Sequence, residues 1–338
     1  MMRLPPFTYL APRTVAEAVR YVADHGPDAM VVAGGTDLYP NMKRRQFEPK
    51  VLVGLRGIRD LDGVRGTAAN GLTIGAGTRL ATVASHPDVL AHYPALATAA
   101  GLVSSPQLRN MGTLGGNVCV DTRCNYYNQS YSWRKAIGFC MKKDGDICLV
   151  APASSRCWAV SSSDTAPVLW SLGASVRVVG PAGERMLTMR ALYQDDGIAY
   201  LAKRPDEIVT DLHLPPADGW QSVYLKLRRR GSFDFPVLGV AVAVRLEAGV
   251  VGKARIVLGA VASQPRETAA AANALVGQRL THELITCVAD LAAVPSKPLD
   301  NTDFTHPYRK KMTRVFVTRA LRRIAALPES GATSEEVA

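Results

Sequence analysis

The cysteines are the residues whose type and spacing most clearly suggest chemistry. Five of the six lie between residues 119 and 157, and Cys287 stands apart. In a chain without signs of secretion, such a group indicates metal or redox chemistry more often than disulfides. A [4Fe–4S] cluster takes four thiolates, so one cysteine of the group is surplus to that use. The five are Cys119, Cys124, Cys140, Cys148 and Cys157.

Two glycine-rich segments form a second candidate site. Residues 31–38 read Val-Val-Ala-Gly-Gly-Thr-Asp-Leu, and residues 108–117 read Leu-Arg-Asn-Met-Gly-Thr-Leu-Gly-Gly-Asn. Glycine lets backbone N–H groups approach a pyrophosphate without a clash from Cβ. Neither segment matches the G-x-G-x-x-G pattern. Together they favour a phosphate-binding nest, although an ordinary turn remains the alternative for each glycine pair, and spacing alone names no nucleotide.

Short elements surround both glycine segments. Thr14 and Glu17 form a capping box that predicts a helix ending near Gly26. Apolar runs predict strands, the first of which leads directly into the first glycine segment. The predicted strands are 29–33, 51–55, 72–76, 174–179, 207–214, 222–228, 239–246 and 254–261. The predicted helices are 94–103, 165–172, 265–277 and 307–326.

The stretch from Asp121 to Ala159 has little periodicity, and it reads as an irregular insertion held by a ligand. A domain boundary is expected near residues 180–185. The small, acidic tail from Pro328 to Ala338 is expected to be disordered.

The bulk composition narrows the class of protein. A chain of 338 residues predicts two or three domains. No apolar run approaches the roughly 18 residues of a membrane span, and residues 1–10 lack the layout of a secretion signal. We therefore expect a cytoplasmic protein. The net charge of +11 fits an acidic redox partner, a phosphorylated substrate carrier or simple solvated charge; no nucleic-acid-binding module is present.

The glycine segments carry a family resemblance. Ala33–Leu38, Arg109–Asn117 and the Ser163-Asp164 pair before a helix resemble the FAD-binding subunits of molybdenum hydroxylases. That family includes xanthine dehydrogenase, carbon monoxide dehydrogenase and 4-hydroxybenzoyl-CoA reductase, and the resemblance covers nearly the whole chain. It implies an α+β fold in which a two-subdomain FAD-binding domain, of the vanillyl-alcohol-oxidase type, precedes a C-terminal α/β domain with a small antiparallel sheet. The implied ranges are 1–58 and 59–180 for the subdomains, 121–159 for the insertion and 181–327 for the C-terminal domain.

The resemblance also implies residues for FAD. The two glycine segments would hold the pyrophosphate and ribityl chain, and Asp164 would hold ribityl or ribose hydroxyls. Val209 and Lys226 would approach the flavin ring, where a cation stabilises the reduced, anionic flavin. The implied set is Val31, Val32, Ala33, Gly34, Gly35, Thr36, Asp37, Leu38, Val103, Leu108, Asn110, Gly112, Thr113, Gly115, Gly116, Asn117, Asp164, Val209 and Lys226.

The cysteine insertion resembles that of the β subunit of 4-hydroxybenzoyl-CoA reductase, where it carries a [4Fe–4S] cluster. Most of the family lacks such an insertion before the Ser-Asp pair. The implied ligands are Cys124, Cys140, Cys148 and Cys157, in the spacing C-x15-C-x7-C-x8-C. Cys119 is then expected in a strand after the second glycine segment, as a small buried residue. Structural zinc is disfavoured because closely spaced cysteine pairs are absent, and a plant-type [2Fe–2S] site lacks its close third cysteine.

The resemblance therefore implies an electron-transfer subunit. Electrons would pass from ferredoxin to the [4Fe–4S] cluster and FAD, then to two [2Fe–2S] clusters on a small subunit and a molybdopterin on a large subunit, in a dimer of heterotrimers. Lys135, Lys142 and Lys143 are candidates for the surface that ferredoxin contacts. An aldehyde or N-heterocycle hydroxylase subunit is the alternative, favoured by Leu108–Met111. A flavin-free scaffold with a structural metal is a third hypothesis. The chain itself contains no catalytic residues in these interpretations.

Overall fold

The computed structural model of the chain describes residues 3–327. Its first sheet has three parallel strands in the order β1-β3-β2. The elements here are β1 (Thr8–Leu10), α1 (Val15–His25), β2 (Ala29–Val32), α2 (Leu38–Lys43) and β3 (Val51–Gly54). The predicted cap of α1 is confirmed, because Thr14 Oγ1 accepts a hydrogen bond from the Glu17 N–H at 3.1 Å. The tail predicted to be disordered, 328–338, lies outside the described residues.

The second sheet has five antiparallel strands in the order β4-β5-β8-β6-β7. Its strands and the helices between them are β4 (Val64–Thr67), β5 (Gly71–Gly75), α3 (Leu80–Ser85), α4 (Pro87–His92), α5 (Pro94–Leu102), α6 (Pro106–Arg109), α7 (Leu114–Val118), α8 (Tyr131–Ala136), α9 (Thr165–Ser171), β6 (Ser175–Gly180), β7 (Gly183–Thr188), α10 (Met189–Leu192) and β8 (Ile208–Leu214). The expected domain boundary at residue 180 falls in the turn between β6 and β7. Because β8 inserts between β5 and β6, the sheet extends to Leu214, and we place the boundary after β8.

The third sheet has four antiparallel strands in the order β12-β11-β10-β9. Its elements are β9 (Trp220–Leu227), β10 (Leu238–Glu247), β11 (Val250–Gly259), β12 (Arg266–Glu267), α11 (Ala269–Leu275), α12 (His282–Ala293) and α13 (His306–Ile324). The helix predicted from residue 265 begins only after Thr268, because residues 266–267 pair with β11. The sequence-based prediction did not name α12. Among residues 3–327, no helix is long and apolar enough to cross a membrane.

β10 joins the two halves of the molecule. Val240, Val242 and Val244 pack into the core formed with α11, α12 and α13. The alternate residues Ala241 and Ala243 pack into the other core, which includes α5, α9 and the second sheet. Successive side chains of a strand point to opposite faces. The third sheet is therefore covered on both faces, and the second and third sheets share a core that fixes their relative position.

The cysteine insertion, residues 121–159, has little regular structure, as predicted, and α8 is its one helix. It is anchored to both halves of the chain. The Arg134 guanidinium, fully buried, donates to the Arg44 carbonyl at 2.8 Å. The Asn125 N–H donates to the Asn301 carbonyl at 2.9 Å. These contacts fix the position of an irregular segment that contains no β-strand.

Candidate functional site

The first glycine segment begins where β2 ends. Residues 55–58 follow β3 in the same way, and β2 and β3 are parallel neighbours. Loops that follow parallel neighbouring strands meet at one edge of the sheet, which is where such sheets bind ligands. The topology therefore brings Ala33 and Arg56 to the same edge of the first sheet.

The second glycine segment is fixed by backbone hydrogen bonds to residues 76–80. The N–H groups of Leu114 and Gly115 donate to the carbonyls of Thr78 and Ala76, at 2.9 and 2.8 Å. Thr113 caps α7, since its Oγ1 accepts from the Gly116 N–H at 3.1 Å. The segment is thus rigid before any ligand binds.

The two glycine segments touch each other, and only glycine fits at the contact. A Cβ placed on Gly34 would lie 2.1 Å from the Met111 carbonyl oxygen. A Cβ on Gly115 would lie 2.6 Å from the Ala76 Cβ. Gly35 has φ of +69°, a conformation that favours glycine. Gly34 and Gly115 are therefore required by close contacts within the protein, and their role in phosphate binding stays a prediction.

A cavity of about 130 Å³ lies between the two segments. Arg56 and Arg79 contribute two cations to its wall, beside glycine-rich backbone, and this chemistry fits a pyrophosphate. The cavity is lined by Ala33, Gly34, Leu55, Arg56, Ile58, Asp62, Gly77, Arg79, Met111 and Thr113.

The sequence-based set includes three of these ten lining residues, Ala33, Gly34 and Thr113, and misses both arginines. Arg79 follows a Gly-Ala-Gly-Thr run after β5, a third glycine-containing turn that was available as a signal. Arg56 has no such signal, because only the parallel pairing of β3 with β2 brings it to the cavity. Of the other predicted residues, Val31 and Val32 lie in β2, while Leu38 begins α2.

The predicted residue Asn117 connects two segments of the chain. Its side-chain oxygen accepts from Ser163 Oγ at 2.9 Å, from the Thr165 N–H at 3.1 Å and from Thr165 Oγ1 at 2.7 Å. Asn117 thus holds the start of α9 against the second glycine segment. This arrangement places Asp164 close to that segment.

Asp164 and Lys226 form a buried ion pair with an Nζ–Oδ2 distance of 2.9 Å. Their side chains are only 3% and 1% exposed. Tyr224 donates to the other carboxylate oxygen at 2.8 Å, and Lys226 also donates to the Leu102 carbonyl at 3.0 Å. Burial raises the pKa of Asp164 and lowers the pKa of Lys226, and their attraction opposes both shifts. The positive charge of Lys226 is therefore largely compensated within the protein.

The remaining predicted residues lie at or near these elements. Val209 is buried in β8. Val103 follows α5, Leu108 lies in α6 and Asn110 follows that helix. None of these four residues lines the cavity between the glycine segments.

Four cysteines line a second, smaller cavity within the insertion. They are buried, with exposures of 4–7%, and the cavity volume is about 10 Å³. Within residues 3–327, no three His, Cys, Asp or Glu side chains are close enough to hold one metal ion. The four cysteines are Cys124, Cys140, Cys148 and Cys157.

Burial raises the pKa of Cys124 to about 12 and that of Cys157 to about 11. At neutral pH these groups are therefore protonated unless a cation replaces the protons. Cys119 does not line this cavity. It ends α7 and does not lie in the strand predicted for it, so that part of the prediction is wrong. Cys287 is exposed on α12.

Two cationic side chains of the insertion are paired with carboxylates. Arg123, next to Cys124, forms an ion pair with Asp37 of the first glycine segment, and its guanidinium lies 4.3 Å from the Phe235 ring centroid. Lys142 is paired with a buried carboxylate and only 6% exposed. Its predicted place on a docking surface is therefore wrong.

Comparisons with known proteins agree with this geometry. Residues 5–217 match the family described as the FAD binding domain in molybdopterin dehydrogenase, and residues 222–324 match the CO dehydrogenase flavoprotein C-terminal domain. The two matches meet just after β8.

Individual proteins are similar over most of their length. The carbon monoxide dehydrogenase medium chain of Afipia carboxidovorans is 30% identical over 95% of this chain and 97% of its own length. The aldehyde oxidoreductase FAD-binding subunit PaoB of Escherichia coli is 34% identical over 77% of this chain and 82% of its own. The structure of carbon monoxide dehydrogenase from Hydrogenophaga pseudoflava has a TM-score of 0.78 at 29% identity, covering 95% of this chain and 98% of that one.

Proposed function

The chain belongs to the family of FAD-binding subunits of molybdopterin dehydrogenases, and on that premise we propose that it is an electron-transfer subunit that holds both FAD and a [4Fe–4S] cluster. The observation that carries the proposal is the second cavity, which four buried cysteines line. When bound, the two groups supply electron carriers of different kinds, a flavin and an iron–sulfur centre. The protein supplies their binding sites and the charges around them.

The FAD part of the proposal rests on the larger cavity. Backbone N–H groups of the first glycine segment, with Arg56 and Arg79, fit the pyrophosphate. In the second segment, the N–H groups of Leu114, Gly115 and Gly116 already donate within the protein. We propose that Val103, Leu108 and Asn110 line the path to the flavin ring. Val209, Asp164 and Lys226 keep their proposed places near the ribityl chain and ring. Because Asp164 compensates Lys226, this ammonium raises the flavin potential less than an unpaired cation would.

The cluster part rests on the number and placement of thiols. Four buried cysteines around one cavity match the ligand set of a [4Fe–4S] cluster. A structural zinc site is disfavoured because the closely spaced cysteine pairs typical of such sites are absent.

For the reaction, we propose a 4-hydroxybenzoyl-CoA reductase, because the insertion resembles the one in that enzyme. The proposed assembly is a dimer of heterotrimers with a molybdopterin subunit and a small subunit that carries two [2Fe–2S] clusters, with ferredoxin as electron donor. In the proposed order, electrons reach this chain at the iron–sulfur cavity and leave it from the flavin site. A cytoplasmic location stays a prediction.

The second candidate is the flavoprotein subunit of an aldehyde or N-heterocycle hydroxylase. Two similar proteins favour it: the aldehyde oxidoreductase subunit named above, and the nicotinate dehydrogenase FAD-subunit of Eubacterium barkeri, 27% identical over 82% of this chain. The assembled complex decides between the candidates. Oxidation of reduced ferredoxin that depends on 4-hydroxybenzoyl-CoA supports the reductase, whereas acceptor reduction driven by an aldehyde or nicotinate, without that activity, replaces it with the hydroxylase.

The two-centre proposal is tested with cysteine variants of the full chain. The purified protein should contain FAD and about four iron atoms with matching sulfide. Cys140→Ser should lose most of the iron and retain most of the flavin, since Cys140 lies in the smaller cavity. Cys287→Ser is the matched control, because this cysteine is exposed and distant from the insertion in sequence.

Two results would contradict the assignment. Four irons retained in Cys140→Ser would show that this thiol is not a ligand. Zinc in place of iron in protein prepared without oxygen would replace the cluster with a structural ion.

A further inference from the structure

Lys142 is a buried cation at the wall of the cysteine-lined cavity. Its ammonium donates to Asp121 Oδ1 at 2.8 Å, Thr122 Oγ1 at 2.8 Å and the Gly197 carbonyl at 2.6 Å. Three acceptors use all three of its hydrogens. The charge is therefore held in one position.

The orientation of the ion pair relative to the cavity is defined. Lys142 and Tyr127 line the cavity, and the ammonium lies 4.8 Å from the Tyr127 ring centroid. Asp121 is equally buried and does not line the cavity. The positive member of the pair is thus nearer the four thiols.

Stability alone does not explain this pair. Burying two charges costs desolvation energy that their attraction often fails to recover, so apolar residues would serve a purely structural role as well. The neighbouring Lys143 shows the ordinary alternative. It is 35% exposed, pairs with the exposed Asp144 and does not line the cavity.

We propose that Lys142 raises the reduction potential of the iron–sulfur cluster held by the four cysteines, and that Asp121 limits this effect. The proposal rests on the proposed function. A cluster with four thiolate ligands is already anionic, and reduction adds one more negative charge. A fixed cation beside it stabilises the reduced state more than the oxidised state, particularly in a site shielded from water. The nearer cation outweighs the more distant carboxylate.

The test is a redox titration of the cluster in the full-length protein, followed by its electron paramagnetic resonance signal. Lys142→Met should lower the equilibrium constant for cluster reduction about tenfold, which is about 59 mV for a one-electron couple. Lys142→Arg, which keeps the charge, should recover most of the loss. Lys143→Met, the matched control at the next position, should titrate like the unaltered protein.

Asp121→Asn gives a shift of the opposite sign. It leaves the ammonium uncompensated and should raise the potential, which a merely structural role of the pair would not do. If Lys142→Met fails to retain the cluster, the Asp121→Asn result decides: an increase supports the proposal and an unchanged potential overturns it. Unaltered protein without four irons would instead refute the proposed function, so the two failures are distinguishable.

Discussion

The contact between the two glycine segments gives the sharpest prediction. In Gly34→Ala, the new methyl group would lie 2.1 Å from the Met111 carbonyl oxygen, about 1.3 Å short of ordinary contact at 3.4 Å. The position of the new Cβ is fixed by the backbone, and the Met111 oxygen belongs to the backbone, so no side-chain rotation relieves the clash. The segments must move apart by about that distance.

The size of the effect follows from hydrogen-bond geometry. A hydrogen bond of about 2.9 Å that is lengthened by more than 1 Å is lost, and a hydrogen bond to a charged group is worth about 1.5–3 kcal/mol. Losing one or two such bonds to the pyrophosphate weakens FAD binding by about 3 kcal/mol, which is roughly a hundredfold in the dissociation constant.

The assay is titration of flavin-free protein with FAD, followed by flavin fluorescence. Gly101→Ala is the control, because its new methyl group would meet only the Ala84 Cβ at 3.8 Å, in the last turn of α5. This variant should bind FAD normally and lose no stability. A Gly34→Ala protein that binds FAD within threefold of the unaltered chain would refute the reasoning, as would an equal loss in Gly101→Ala.

Two further predictions concern stability. Bidentate hydrogen bonds from Arg185 hold the pKa of the Glu207 carboxyl at about 2. Glu207→Gln should therefore lower the free energy of unfolding by about 2 kcal/mol at pH 7. Measured by urea unfolding, this difference should shrink below about pH 4.3 and vanish near pH 2. A pH-independent difference would show that the charge is not the cause. Asp164→Asn leaves Lys226 buried without its counter-ion and should cost roughly 3–5 kcal/mol, and adding Lys226→Met should recover part of the loss; no recovery in the double variant would contradict the ion-pair explanation.

Sequence patterns predicted the local features of this fold well. The capped helix before Gly26, the strand that leads into the first glycine segment and the helix after Asp164 all depend on neighbouring residues. Glycines where two backbones touch leave a compositional signal, because no other residue fits. The resemblance then added the identity of the nucleotide.

Features that depend on distant pairing were not predicted. β8 pairs with β5 and β6 and not with β7, the strand that precedes it in the sequence, so a boundary drawn where periodicity changes came too early. Arg56 reaches the larger cavity only through the parallel pairing of β3 with β2. The sequence around Lys142 suggests a surface residue. Its partner Asp121 lies 21 residues earlier, before Cys124, so their pairing is not visible in the sequence.

The anchoring of the insertion imposes an order on how this protein matures. Arg134 and Asn125 attach the insertion to opposite halves of the chain, so its four thiols face one cavity only after both halves have folded and docked. If these cysteines hold the proposed cluster, iron delivered to the nascent chain would meet separated thiols, whereas iron delivered after folding would meet the assembled cavity. Iron shortage would then leave a folded, FAD-containing subunit that lacks the proposed cluster and could still receive it.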